Sequence, residues 1–566
     1  MLDSQSLRKI TARTLHHHFF RRFFDNDTLS ADGDMERSVV RSLCICSVPG
    51  LMVAFWLLPA YPGRPVWAMA ADRYFFVLCS FVIMGIATTF EWEMLFPDRA
   101  DFLILLPLPI EARQLFYAKG RALLTFLALF LAAANIFAMI LFPAVSTGSR
   151  RNIVPIFLAH AASTLLSGIF SASAMLAIEG LSIALLPDAW QRWIATILQS
   201  LAITVLLLLF LLFPLFGAHM QTLLDGHAAF VRYVPPLWFL GLYEHLAMGS
   251  AAPAGSDALA SIGLYATACA SILALVAYPL AWSRQKKRSM EGSSQIRKPG
   301  GAWLDHWLHK TLLRRPQERA IFHFISHTLR RNSRYQVYLA IYSGVGLAFA
   351  ITSALTLQYT RQHTLVLALS SRGLHAVLPL LLFWLAVGLR VAFGFPVDML
   401  ARWIFPINLL RAGQHARATG TWVLLCCALL TGCVLCVLLA LGWPAYLLLQ
   451  QALWGIAISV LLTDILFISR SRIPFTQPRL PGRANLPITL VLYAAAFPVF
   501  VLLTVVCELH SESRPTVLLR VLLGIAALHF ALRIAAGRNE SSSALNGYSL
   551  DEPDDEFQTL GLSHFL

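Results

Sequence analysis

A chain of 566 residues that is 57% hydrophobic and 13% charged, with a mean hydropathy of +0.66, has too little polar surface to hold ordinary soluble domains in water. Lipid is the solvent this composition calls for, and its apolar runs are of helix length, so the expected class is all-α and polytopic. The net charge of +14 collects between the apolar runs, where it reads as membrane orientation and attraction to anionic lipid, and no nucleic-acid partner is expected.

In chain order, the first forty or so residues are polar and basic, with Arg8, Lys9, Arg13, Arg21, Arg22, Arg37 and Arg41, so no cleavable signal peptide is visible. Within them LRKITARTLHHHFFRRFF mixes aromatics with Arg and His in the manner of an interfacial helix. Its run His16, His17, His18 spreads over about 200° of a helix and cannot converge on one metal. Six apolar runs follow, near 43–60, 74–95, 122–145, 153–178, 194–216 and 259–282, and six more near 337–358, 374–394, 421–443, 446–468, 487–507 and 515–535. Each matches the roughly 20 residues that cross about 30 Å of hydrocarbon. Trp190, Trp193, Trp282, Trp422 and Trp443 mark span ends, where an indole prefers the headgroup layer. Twelve crossings from a cytoplasmic amino terminus put every lysine (Lys9, Lys119, Lys286, Lys287, Lys298 and Lys310) on the inner side, while Arg150, Arg151, Arg361 and Arg372 face outward. The nine cysteines lie in or beside the spans and read as small packing residues.

The spans divide six and six. Residues 1–282 form a first six-helix module, 283–335 a basic linker with a second interfacial helix (RAIFHFISHTLRRNSRYQ), 336–537 a second module, and 538–566 an acidic tail expected to be disordered and cytoplasmic. A pseudo-repeat is suggested by the loop after the second span of each half, where Phe96, Pro97 and Pro107 stand at the spacing of Phe395, Pro396 and Pro406.

Two segments carry functional expectations. The first is 96–121, FPDRADFLILLPLPIEARQLFYAKGR, too long for a simple turn. Broken by Pro107 and Pro109 and followed by Glu111, Arg113 and Lys119, it reads as a short interfacial helix, a kink and a basic helix, a handle on which a partner can push. The loop 395–420, with Asp398, Arg402 and Arg411, has the same character. The second segment, YVPPLWFLGLYEHLAMG within 217–258, is too short to cross and too apolar for a solvated loop. It is expected as a re-entrant or surface-lying helical pair started by Pro235 and Pro236 and anchored by Trp238, Phe239 and Tyr243.

A basic lead-in helix, six spans, the pattern L-P-L-P-x-x-x-R-x-L-x-x-x-K after the second span and short outer helices between the fifth and sixth together resemble permeases of the type-2 exporter class of ATP-binding-cassette transporters. The resemblance implies that the loop after the second span is a coupling helix touching a cytoplasmic ATPase, with Pro107, Pro109, Arg113 and Lys119 at the matching positions. The second half departs from it, because 508–514 is too short for outer helices. No G-x-x-x-x-G-K-[ST] loop occurs, so this chain is expected to carry no cofactor, ATP being bound by a partner subunit. The expectation is a non-enzymatic membrane subunit of an ATP-driven exporter in a bacterial plasma (inner) membrane, both termini cytoplasmic, with homodimer and heteromeric complex left open. The alternative is a major-facilitator-like carrier driven by an ion gradient, which needs ionisable groups at mid-membrane. Glu91, Glu93, Glu179 and Asp464 instead lie near span ends, where a water-facing or helix-capping carboxylate is expected; Arg390 in the eighth span is a further candidate, its long side chain able to snorkel inward.

Overall fold

The computed structural model describes residues 4–24, 35–59, 61–96, 99–105, 107–108, 110–147, 153–225, 229–291, 313, 315–359, 365–394, 412–467, 474–475 and 486–545. The chain is an all-α integral membrane protein. In the first part, the helices are α1 (Ser4–Phe24), α2 (Met35–Leu57), α3 (Val66–Phe90), α4 (Trp92–Leu95), α5 (Arg99–Leu105), α6 (Ala112–Thr147), α7 (Ile153–Leu185) and α8 (Asp188–Leu211). They continue through α9 (Phe213–Gly217), α10 (Met220–Leu224), α11 (Pro235–Met248) and α12 (Ser256–Glu291). After the linker come α13 (Pro316–Arg331), α14 (Ser333–Ala354), α15 (Ser371–Ala392), α16 (Ala412–Ala440), α17 (Ala445–Phe467), α18 (Leu486–Ser513) and α19 (Pro515–Leu545). Eleven of these are long and apolar enough to cross a membrane, and α18 adds a shorter apolar stretch, Ala495–Ser511. Every one of the twelve expected spans coincides with a helix.

Helix ends and span ends differ systematically. α6 begins at Ala112, ahead of the expected 122, and α12 continues to Glu291, past 282. Arg, Lys, Gln and Glu propagate a helix nearly as well as Leu, so charge marks where hydrocarbon stops and not where the helix does. The same holds for α19, whose helix runs through the Ser541–Ser543 run; Asp551 to Glu556 lie outside the described residues. One element was not expected. Between α14 and α15 the chain forms an antiparallel hairpin, β1 (Leu355–Tyr359) and β2 (Leu365–Leu369), pairing Leu355 with Leu369 and Tyr359 with Leu365. Leu365 is buried, and Gly373 closes the hairpin's base, because a Cβ there would stand 1.8 Å from the Ser353 carbonyl oxygen.

The chain forms two compact units. One comprises Met1–Lys298, Ser333–Leu381 and Leu480–Val491, the other Pro299–Asn332, Leu382–Arg479 and Leu492–Leu566. In the first, α7 is the central helix, packed by α3, α6, α11 and α12. Its buried face is small and polar: His160, Ser163, Thr164, Ser167, Gly168 and Ser171. In lipid, helices gain little from burying apolar side chains against each other, so close approach and interhelical hydrogen bonds hold them together. Ser80 donates to the Thr164 carbonyl at 2.7 Å, Ser167 to the Val77 carbonyl at 3.1 Å, and Asn135 to Ser80 at 3.0 Å. Gly85 lets α3 approach so closely that a Cβ would sit 2.6 Å from Ser171 and Leu206. In the second unit, α16 and α17 pack together and α19 lies against both.

Candidate functional site

The residues of the first expected site gather at the end of the unit where α1 lies. α1 presents Leu15, Phe19 and Phe23, spaced four apart on one face, to α6, and all three are buried. Phe23 stacks on Phe126 at 4.9 Å, and His16 lies 3.3 Å from the Thr125 hydroxyl. Burial pulls the His16 and His18 imidazoles below the usual 6.5, reinforced by Arg121 and His17 at the first and by Arg22 at the second. Beneath α1, Lys119 is buried with its ammonium 5.0 Å from the ring centres of Phe19 and Phe23. Arg22 pairs with the buried carboxylate of Asp101 at the start of α5. Lys119, matched by resemblance to a partner-touching position, is therefore covered by the chain's own lead-in helix.

What remains on the surface is a compact ridge. Leu103 and Ile104 on α5 are 57% and 67% exposed, and Pro107, Leu108, Glu111 and Arg113 are exposed in the turn and first turn of α6. The opposite face of α5 is fixed: Phe102 is buried edge-on against Trp282 at 5.4 Å, and Phe116 meets the same indole at 5.1 Å. Trp282 is thus a core residue of this junction and not a headgroup anchor, whereas Trp190 and Trp193 are exposed as expected. Arg284 donates to the Ala184 and Leu186 carbonyls, and Arg288 to Leu186, so α12 satisfies carbonyls that the end of α7 leaves without helical partners. Pro109, Asp398, Arg402 and Arg411 lie outside the described residues.

The second expected site is at the opposite end of α3. α11 starts at Pro235, with Pro235 and Pro236 in its first turn, where a missing N–H costs nothing. It does not lie on the surface. Phe239 and Tyr243 are fully buried against α3, α7 and α12, and Trp238 is half-buried, its indole donating to the Arg232 carbonyl at 2.9 Å. The close approach needs Gly241, where a Cβ would meet the Leu259 Cβ at 2.5 Å, and Gly263, where it would meet that of Trp238 at 3.2 Å. Underneath, Arg73 of α3 donates to Glu244 of α11 at 2.6 Å, both side chains under 10% exposed, and the guanidinium lies 5.4 Å from the Tyr243 ring centre. Asp72, the residue before Arg73 on α3, takes two hydrogen bonds of 2.5 Å from Arg64. Burial pushes the Tyr61 hydroxyl beside this cluster up to about 12, and raises that of Tyr243 further. A shallow depression of about 370 Å³ opens between Arg64, Asp72, Phe213 and Pro214.

In the second unit, α13 packs on α16, with Trp422 donating to Ser326 at 2.8 Å. Asp464 of α17 lies 2.5 Å from His529 of α19, and the Glu508 carboxylate of α18 accepts from Gln451. Asp464, Glu91 and Glu179 are each at most 5% exposed, so none is a water-facing carboxylate, one of the two arrangements expected from their positions, while Glu91 stands at the cap position between α3 and α4, the other. No family model, no curated protein and no solved structure matches the chain.

Proposed function

We propose that the chain is the membrane subunit of an ATP-driven exporter, energised by a separate cytoplasmic cassette ATPase that grips the ridge of α5 and the start of α6. The observation that carries the reading is an aliphatic and charged surface, Leu103 and Ile104 on α5 with Leu108, Glu111 and Arg113 in the turn and first turn of α6, exposed while the other face of α5 is locked into the bundle through Phe102 and Trp282. A force applied there reaches α12 without an intervening flexible link. A parallel in the second half supports it: α1 packs on the third span of its half and α13 on the third span of the other. In this reading the ridge faces the cytoplasm and the α11 end faces outward.

Co-purification with candidate cassette ATPases tests it. The wild-type chain is expected to retain an ATPase, and the exposed pair of substitutions Leu103→Asp and Ile104→Asp to release it without unfolding the protein. Failure of any cassette ATPase to associate, or association indifferent to those changes, removes the proposal. A second reading, a carrier driven by an ion gradient, is favoured by the Asp464–His529 pair inside two candidate spans. It predicts transport that survives ATP depletion and is lost in Asp464→Asn.

A further inference from the structure

Five polar side chains lie close together where α11 meets α3 and α7 within the first unit, with Phe142 between two of them. Arg73 and Glu244 are paired, Tyr243 lies under the guanidinium, the His160 ring meets Tyr243 edge-on at 5.7 Å, and Phe142 bridges His160 (5.2 Å) and Tyr61 (6.0 Å). All five are at most 6% exposed. Yet the Tyr61 and Tyr243 hydroxyls, both His160 nitrogens, Arg73 Nε and Glu244 Oε1 make no hydrogen bond among the described residues. Buried polar atoms in folded proteins are almost always partnered, and several orphans on neighbouring side chains are rarer still.

We propose that this cluster is a binding site for ordered water, a hydrated inclusion between α3, α7 and α11. The chemistry of the set selects the guest. Glu244 Oε1 only accepts, Arg73 Nε–H only donates, and the hydroxyls and imidazole do either. An anion is repelled by the carboxylate and a cation by the guanidinium, so the molecule that satisfies every member is neutral and both donates and accepts. With Phe76 and Phe142 closing the flanks, the smallest such molecule fits best, and an ordered water needs only roughly two to four polar partners. Water here keeps the Arg73–Glu244 pair solvated at depth, so that α11 can part from α3 without first baring two dry charges. The inference holds whichever energy source drives the protein.

Hydroxyl-radical footprinting of the full chain in lipid nanodiscs tests it, because radicals generated from bound water mark the side chains that hold it. Phe239 is the internal control: it is as buried as Tyr243, lies on the same helix and would be exposed by the same breathing of α11. Tyr243 is expected to be oxidised at least about fivefold faster than Phe239, and a smaller ratio overturns the proposal. Exchanging chloride for gluconate and sodium for N-methylglucamine is expected to leave that ratio unchanged; a ratio that moves identifies an ion as the guest and likewise overturns it.

Discussion

Replacing Glu244 by alanine isolates what holds α11 in place. Glu244 is 1% exposed and Arg73 is 6% exposed, and they meet at 2.6 Å inside the bundle. Removing one partner leaves the guanidinium charged and buried, which costs about 3–5 kcal/mol, against roughly 0–1 kcal/mol for an exposed pair. Hydration of the cluster draws the value toward the lower bound. Glu244→Gln keeps an acceptor for Arg73 and is expected to lose less, about 1–3 kcal/mol. The pair is read by a double-mutant cycle: Arg73→Ala, Glu244→Ala and the double variant, each unfolded in a detergent–SDS titration, with protease accessibility of α11 as a local readout. The double variant is expected to be more stable than the sum of the single losses by about 2 kcal/mol or more, since it removes both charges together. Additive losses, or a Glu244→Ala loss below about 1 kcal/mol, would refute the claim that a buried ion pair pins this helix.

Gly373→Ala drives a Cβ into the Ser353 carbonyl, a backbone atom that cannot rotate away, and is expected to cost about 1–3 kcal/mol and to accelerate hydrogen exchange of the Ser370 amide, which bonds the Ala354 carbonyl at 2.7 Å. Lys119→Glu places a carboxylate against the faces of Phe19 and Phe23 and is expected to detach α1, seen as faster exchange across Leu15–Phe23, whereas Arg113→Glu on the exposed ridge is expected to leave stability within about 0.5 kcal/mol. His16 and His18 titrate below 6.5 when α1 is docked and near 6.5 when it is free. The free helix then binds more protons, so docking is strongest above pH 6.5 and is lost as pH falls through the docked values. Exchange of α1, corrected for intrinsic rate, is expected to rise with acidification, and His16→Gln with His18→Gln to flatten that rise.

The spans were legible because an uninterrupted apolar run of some 20 residues has few alternatives in lipid. The hairpin at 355–369 was not, because Leu355–Tyr359 continues the apolar run of α14 and the strand ends only through pairing with Leu365–Leu369. Pro235 announced the start of α11 through the proline preference for a first helical turn. Its burial could not be read in the same way. The partner of Glu244 is Arg73, 171 residues away, and nothing local to either residue names the other. Lys119 looked like a surface charge because it follows exposed Glu111 and Arg113, yet a helical period turns it toward α1. Glu91, Glu179 and Asp464 stand near span ends, where sequence position suggests water or a helix cap, and all three are buried.

The two sites are joined by one element. Trp282 of α12 meets Phe102 and Phe116 at the α1 end, and Leu259 of the same helix lies where a Cβ on Gly241 of α11 would touch it. At 1.5 Å per residue the two contacts are about 35 Å apart along a single helix. A helix that long transmits axial and tilting displacement with little loss, except at Pro279, whose missing hydrogen bond makes a local hinge three residues from Trp282. A tilt imposed on α12 through Trp282 therefore arrives at the far end as displacement of α11 against α3, and there it must act on the Arg73–Glu244 pair. Replacing Pro279 by alanine restores the missing bond and stiffens the hinge. If α12 is the link, that change alters how protease accessibility of α11 responds to substitutions at Phe102; if accessibility of α11 is indifferent to both, the two ends are mechanically separate.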